Sequence, residues 1–276
     1  MAERHDIMWF DTLDSTNEEV RRRIGELDNL SVVSALSQTA GRGQRGNTWT
    51  SAPGENLTFS ILLKFGNGTD SCPTLKATDQ FIISEITALA VTELLEKYGI
   101  SAKIKWPNDI YTDDRKICGI LIENSLRGEY INSSIVGIGL NINQKNFDVS
   151  LPNPTSFVNI LKEQKCFDIV LILEDFVCIF KTLYKRYIGD SSLRKEIREE
   201  YLCRLWRLET TSRFKDLTVL PKGHSITPVV TGIDNEGGQE FIGIIKDLTP
   251  DGKLIIENIK DNSLKEFSFK EIAYIL

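Results

Sequence analysis

Two short segments gather groups suited to holding a phosphate or an activated carboxylate. GRGQRG (41–46) supplies three glycines, which let a backbone curl closely around a ligand, and two arginines, Arg42 and Arg45, whose planar forks match phosphate oxygens. In KWPND (105–109), Pro107 biases Trp106 to an extended conformation, so Lys105 is expected at the end of a strand before a sharp turn. A lysine fixed there is a cation that can be aimed at an α-phosphate or a carboxylate oxygen. DSTN (14–17) brings hydroxyls and a carboxamide together, and Gln38 adds a second amide; as a pocket they match a small planar ligand bearing N–H donors and a carbonyl acceptor. Each segment also has a plainer reading when taken alone: a surface loop, a lysine lying along a packed tryptophan, and a helix cap.

The rest of the composition narrows the chemistry. Only two histidines occur, His5 and His224, so a histidine-based triad or a multi-histidine metal site is nearly excluded by count. No metal ligands are assigned. The five cysteines (72, 118, 166, 178, 203) are widely spaced, with no C-x-x-C, and indicate neither a disulfide framework nor a zinc ribbon. With a net charge of −6 and no basic block longer than Arg21 to Arg23, no electrostatic footprint for nucleic acid is expected. The N-terminus lacks an apolar signal core, and the most apolar window, 169–183, is interrupted by Glu174, Asp175 and Lys181. The expectation is a cytoplasmic protein with no membrane partner.

The elements that must position these groups follow from periodicity. A helix is expected over 15–27, with Ser15 and Glu18 in capping-box spacing, and strands over 32–36 and 57–65 flank the glycine-rich loop. A long helix over 75–98 precedes three β-type runs, 102–106, 116–123 and 131–138; 155–208 is helical in pattern. From Thr218 the period becomes β-type (226–233, 240–248, 253–258, 267–276), with a hairpin turn at 249–253. The chain therefore reads as an α+β catalytic domain, residues 1–210, built on a mixed β-sheet with packed helices, followed by a small all-β, barrel-like domain, residues 211–276.

Taken together, DSTN (14–17), QTAGRGQRG (38–46), Trp49, KWPND (105–109), RKICGILIE (115–123) and GIGLNIN (137–143) resemble the biotin protein ligases in order and spacing. The likeness is weaker and only pattern-level over 144–207. It implies the class II synthetase-like biotin/lipoate ligase fold with a C-terminal SH3-like β-barrel. It also implies a reaction in which biotin and MgATP form biotinyl-5'-AMP, followed by biotin transfer to a lysine of the biotin carboxyl carrier domain of a biotin-dependent carboxylase. On this resemblance Lys105 and Arg42 are the catalytic cations. Ser15, Thr16, Asn17, Gln38, Arg42, Gly43, Gln44, Lys105 and Gly119 line the biotin site. Arg42, Arg45, Trp49, Lys105, Asn108 and Asn141 hold ATP or the adenylate, with Trp49 packing on adenine and Asn141 reading its polar edge. Relative to many family members the loop carries fewer cations, with Gln44 where an arginine often stands and Asn47 where a basic residue often stands.

A lipoate protein ligase shares the adenylate logic, but DSTN with GRG favours the ureido group of biotin. A noncatalytic biotin-binding sensor would not need Lys105, Arg42 and Arg45. A DNA-binding form would need a winged helix-turn-helix, for which the eight residues before Trp9 leave no room. Monomer and weak homodimer both remain open.

Overall fold

The computed structural model describes residues 7–66, 68–69, 72–219 and 238–275. Packing divides the chain into two units, Met1–Arg204 and Leu205–Leu276. The first contains β1 (Ile7–Leu13), α1 (Thr16–Arg22), β2 (Val32–Gln38), β3 (Leu57–Lys64), α2 (Phe81–Lys97), β4 (Lys103–Lys105), β5 (Asp109–Thr112), β6 (Arg115–Arg127), β7 (Tyr130–Leu140), α3 (Phe157–Leu161), α4 (Ile169–Tyr187) and α5 (Arg194–Cys203). Its seven strands form one sheet in the order β1-β2-β3-β7-β6-β5-β4. Only β1 and β2 run parallel; every other neighbouring pair is antiparallel, so the sheet is mixed, as the α+β reading expected.

Successive side chains on a strand point to opposite faces, and the sequence uses the two faces differently. On β3, Phe59 meets Phe176 of α4 with ring centroids 5.1 Å apart, which marks the face covered by the long helices. On the other face Val33, Leu62 and Ile135 close with Val20 of α1 and Leu27 into a buried apolar cluster. Each such side chain taken fully from water stabilises the fold by about 1.5–3 kcal/mol. Farther along the same strands this second face changes character. Thr58 and Ser60 follow from Leu62 on β3, while Gly137 and Gly139 follow from Ile135 on β7. Small residues in place of large ones leave room above the sheet.

Helix α1 is shorter than the pattern predicts, and the expected capping box does not form. Ser15 stands at the N-cap position without a side-chain cap bond. Glu18 is instead drawn outward, its carboxylate pairing with Arg42 at 2.9 Å and Arg21 at 3.4 Å. The N–H of Thr16 donates to Gln38 Oε1 at 2.7 Å, so a long-range amide takes the place of the local cap. The helical region expected over 155–208 is three helices, interrupted where Lys162 adopts a left-handed conformation (φ 55°) and again before α5. Strands β1 and β5 were not anticipated: β1 hides in an apolar run ahead of a helix cap, and β5 is four residues caught between two turns.

The second unit holds β8 (Thr211–Asp216), β9 (Gln239–Leu248), β10 (Leu254–Asn258), β11 (Leu264–Phe267) and β12 (Ile272–Ile275) in one antiparallel sheet, ordered β11-β10-β9-β8-β12. The hairpin at 249–253 is present, with Gly252 at φ 86° and Thr249 N–H bonded to the Lys253 carbonyl at 2.9 Å. Closure into a barrel is not seen among the described residues: β11 and β12, four residues each, end the sheet without pairing to each other. The strand expected at 226–233 lies outside the described residues, as do His5 and His224.

Candidate active site

Register alone places the key residues in one row. Lys105 on β4 pairs with Asp109 on β5, Asp109 with Gly119 on β6, Gly119 with Gly139 on β7, and Gly139 with Thr58 on β3. Directly paired residues share a face, so a lysine and a carboxylate stand at one end of a floor that carries no side chain at its two central positions. One step along, Gly137 pairs with Ser60. A Cβ at Gly137 would collide with the carboxamide of Asn17, and one at Gly139 would collide with the ring of Trp49. The glycines of GIGLNIN are therefore required by close approach.

The amide-rich wall has an unambiguous hydrogen-bond sense. Thr16 N–H can only donate, which fixes the oxygen of Gln38 towards it and leaves Gln38 Nε2 as the donor end for a ligand carbonyl. The Thr16 hydroxyl reaches the same oxygen at 3.2 Å. Asn17 Nδ2 donates to Glu123 Oε2 at 2.7 Å, so its oxygen faces the Ser60 hydroxyl, 2.6 Å away. Ser15, Thr16 and Asn17 are all buried.

The loop after β2 folds back on itself. Trp49 N–H bonds to the Gly41 carbonyl at 2.9 Å and Gly43 N–H to the Asn47 carbonyl at 2.7 Å, with Arg42 and Thr48 bridged between them. A side chain at Gly41 would strike the Trp49 carbonyl, which accounts for the first glycine of the segment. Gln44 and Arg45 stand in a single 3-10 turn, Gln44–Gly46. Trp49 lies over Gly119 and Gly139, and its indole Nε1 is buried without a hydrogen-bond partner among the described residues. A ligand acceptor placed there would satisfy it.

The cations are already engaged. Arg42 places Nη2 2.6 Å from Glu123 Oε2 and Nη1 2.9 Å from Glu18 Oε1, while Arg21 Nη2 lies 3.0 Å from Glu123 Oε1. Burial works to raise the Glu123 carboxyl, but the Asn17 hydrogen bond, Arg42 and Arg21 together hold it below its ordinary value. It is thus a carboxylate at neutral pH. Lys105 Nζ donates to the Tyr111 hydroxyl at 2.9 Å, and burial pushes that phenol well above its ordinary range, so it stays protonated beside the lysine. Lys116 Nζ pairs with Asp109 at 2.7 Å and sits 5.9 Å from the Trp49 ring centroid, a second cation over the glycine floor that the sequence reading did not single out.

Two residues expected at the nucleotide make structural bonds here. Asn108 Nδ2 donates to the Ile120 carbonyl at 2.9 Å, and Ile120 N–H returns a bond of the same length to the Asn108 carbonyl. Asn141 is buried and donates to the Thr155 carbonyl at 2.9 Å, tying the end of β7 to the segment before α3. Ser60 and Glu123 were missed. Their signal is alternation, since Glu123 lies four residues along β6 from Gly119 and so shares its face.

The mixed sheet carries a glycine floor between an amide wall and strand-end cations, and its fold is that of biotin protein ligases of known structure. Residues 9–141 match the model of the Biotin/lipoate A/B protein ligase family. More particularly, it is similar to proteins named as biotin ligases. It is 28% identical over 237 residues to the bifunctional ligase/repressor BirA of Salmonella typhimurium, covering 85% of this chain and 69% of that one. It is 35% identical over 132 residues to a biotin–acetyl-CoA-carboxylase ligase of Paracoccus denitrificans, covering 47% of this chain and 51% of that one. The chain spans 42% of BirA from Escherichia coli. Its fold resembles the biotin protein ligase from Aquifex aeolicus in complex with biotin and ATP, with TM-score 0.72 and 24% identity over 98% of each chain. Among the described residues no helix is long and apolar enough to cross a membrane.

Proposed function

We propose that the chain joins biotin to protein in two steps. In the first, a biotin carboxylate oxygen attacks the α-phosphorus of ATP; the new P–O bond forms as the α–β anhydride bond breaks, and pyrophosphate leaves. In the second, the ε-amine of an acceptor lysine attacks the biotinyl carbonyl carbon, and AMP departs with the bonding pair. Neither step requires a histidine. Both develop negative charge on oxygens, which fixed cations stabilise.

The observation that supports this reading most is the in-register row from Lys105 through Asp109 to Gly119 and Gly139. The row sets Lys105 at the edge of a glycine floor on which the Trp49 ring lies, and the amides of Gln38 and Asn17 have fixed donor and acceptor ends. Ser15, Thr16, Asn17 and Gln38 would take the ureido ring, with Gly119 a point of backbone approach for biotin. Arg42, Gly43, Gln44, Arg45 and Trp49 would cover the adenylate. Asn108 and Asn141 would shape the nucleotide end through the backbone segments they tie down. Mg2+ would enter with ATP, held chiefly by phosphate oxygens and water.

On this reading residues 1–210 form the catalytic domain and 211–276 an accessory β domain. The acceptor is the biotin carboxyl carrier domain of a biotin-dependent carboxylase, and the compartment is the cytoplasm. Incubation with biotin, MgATP and a carrier domain should add one biotinyl mass to the acceptor lysine. Transfer of lipoate in place of biotin, or no transfer, would overturn the assignment.

A further inference from the structure

The ligand-binding reading leaves one carboxylate unaccounted for. Glu123 stands at the meeting point of three segments: it accepts from Asn17 of α1 at 2.7 Å, from Arg42 of the glycine-rich loop at 2.6 Å and from Arg21 at 3.0 Å. Its side chain is 29% exposed, so these bonds are partly shielded from water. An asparagine carboxamide can present either end to a ligand, and the Ser60 hydroxyl, as donor or acceptor, tolerates both. Only an acceptor-only neighbour decides the matter.

We propose that Glu123 is a positioning residue of the substrate site: its carboxylate fixes which end of the Asn17 amide faces Ser60 and which remains for the ligand, and it holds Arg42 beside that amide. The inference rests on the biotin-binding reading above. Its consequence is that α1 and β6 are set as one unit before a ligand arrives. A pocket whose polar groups are already oriented loses less freedom on binding. A site reading both donors and acceptors then discriminates strongly, because a reversed amide would face a ligand carbonyl with its own oxygen.

The test uses biotin binding to the full chain by titration calorimetry, with folding checked by circular dichroism. Glu123→Ala should raise the biotin Kd about 10- to 100-fold, the scale of losing a hydrogen bond to a charged group. Asn17→Ala should raise it similarly, and the double variant should be no worse than the poorer single within about 3-fold, since the two act through one contact. Glu123→Gln can still accept from Asn17 Nδ2 and should recover most of the affinity. Losses that multiply in the double variant, or a Glu123→Gln protein as defective as Glu123→Ala, would overturn the proposal. Failure of the unaltered chain to bind biotin would instead overturn the functional reading, and this inference with it.

Discussion

The ring of Trp49 occupies the space that a side chain at residue 139 would need: a Cβ built on Gly139 falls 2.7 Å from Trp49 Cδ2 and nearer still to other ring atoms. The two residues lie 90 positions apart, so only the fold brings them together. Gly139→Ala must therefore move the indole, and with it the loop whose Gly41 carbonyl receives the Trp49 N–H. The three atoms nearest the added methyl all belong to the indole, so the ring rather than the strand is expected to give way. The expected outcome is a thermal midpoint within a few degrees of the parent and a KM for ATP raised roughly 10-fold, about 1.4 kcal/mol of lost binding. Steady-state kinetics with a folding control would check both.

Lys105 lies at the end of β4, beside the Tyr111 hydroxyl. Lys105→Ala should leave the fold intact and slow adenylate formation by roughly 10² to 10³, the scale of losing one preorganised charge stabiliser. Pyrophosphate release measured on folded protein decides it; a parental rate would remove Lys105 from the chemistry.

The strand-end place of Lys105 was legible because its constraint is local: Pro107 restricts its neighbour. Gly119 and the segment holding Gly137 and Gly139 entered only through the resemblance. The register that puts Lys105 opposite Asp109, and Asp109 opposite Gly119, was not legible, because β5 is too short to show a period. Glu123 carried no mark beyond the alternation that sets it on the face of Gly119. A charged residue near a strand end usually reads as solvated, and its meaning here comes from Asn17, 106 residues earlier. The same limit explains the missed cap: Gln38, not Glu18, completes the start of α1, and the pairing spans 22 residues.

The second unit should carry its own acid sensitivity through Asp216. Burial alone would raise this carboxyl, but Lys265 at 2.5 Å and two bonds from Thr218 hold it below its ordinary value. A depressed folded pKa means that the stabilisation is present above the unfolded value, about 3.9, and is lost as pH falls through the lower folded one. Asp216→Asn should cost about 1–3 kcal/mol near pH 7, and the gap from the parent should shrink as both are taken below pH 4. Urea melts at the two pH values measure it, and a gap unchanged by acid would exclude the ion pair as its source.

Gln44 opens the short turn of the loop where many relatives of this fold are expected to place a cation. Adding one should strengthen the hold on an anionic adenylate without touching the amide wall. Gln44→Arg is therefore expected to lengthen the residence time of biotinyl-adenylate, measured by chase with unlabelled biotin and ATP. A residence time unchanged or shortened would count against a phosphate contact at this position.

The loop itself gives the last expectation. Its sequence, polar and glycine-rich, suggests little to hold it when the site is empty, yet the structure supplies anchors: three backbone bonds within residues 41–49, Arg42 on Glu18 and Glu123, and Trp49 over the glycine floor. These anchors are weak. Arg42 is 40% exposed, and ion pairs at such positions contribute about 0–1 kcal/mol each, too little to keep the loop shut against thermal opening. Bound adenylate would add a phosphate for the arginines and an acceptor for the indole N–H, and closure would exclude the water that hydrolyses a mixed anhydride. Trypsin cuts after arginine, so Arg42 and Arg45 report on opening directly. Cleavage there should be readily detected in the free protein and strongly suppressed by biotin with MgATP together, but not by either alone. Equal rates with and without the pair of ligands would rule out ligand-driven closure while leaving the fold and its glycine floor as described.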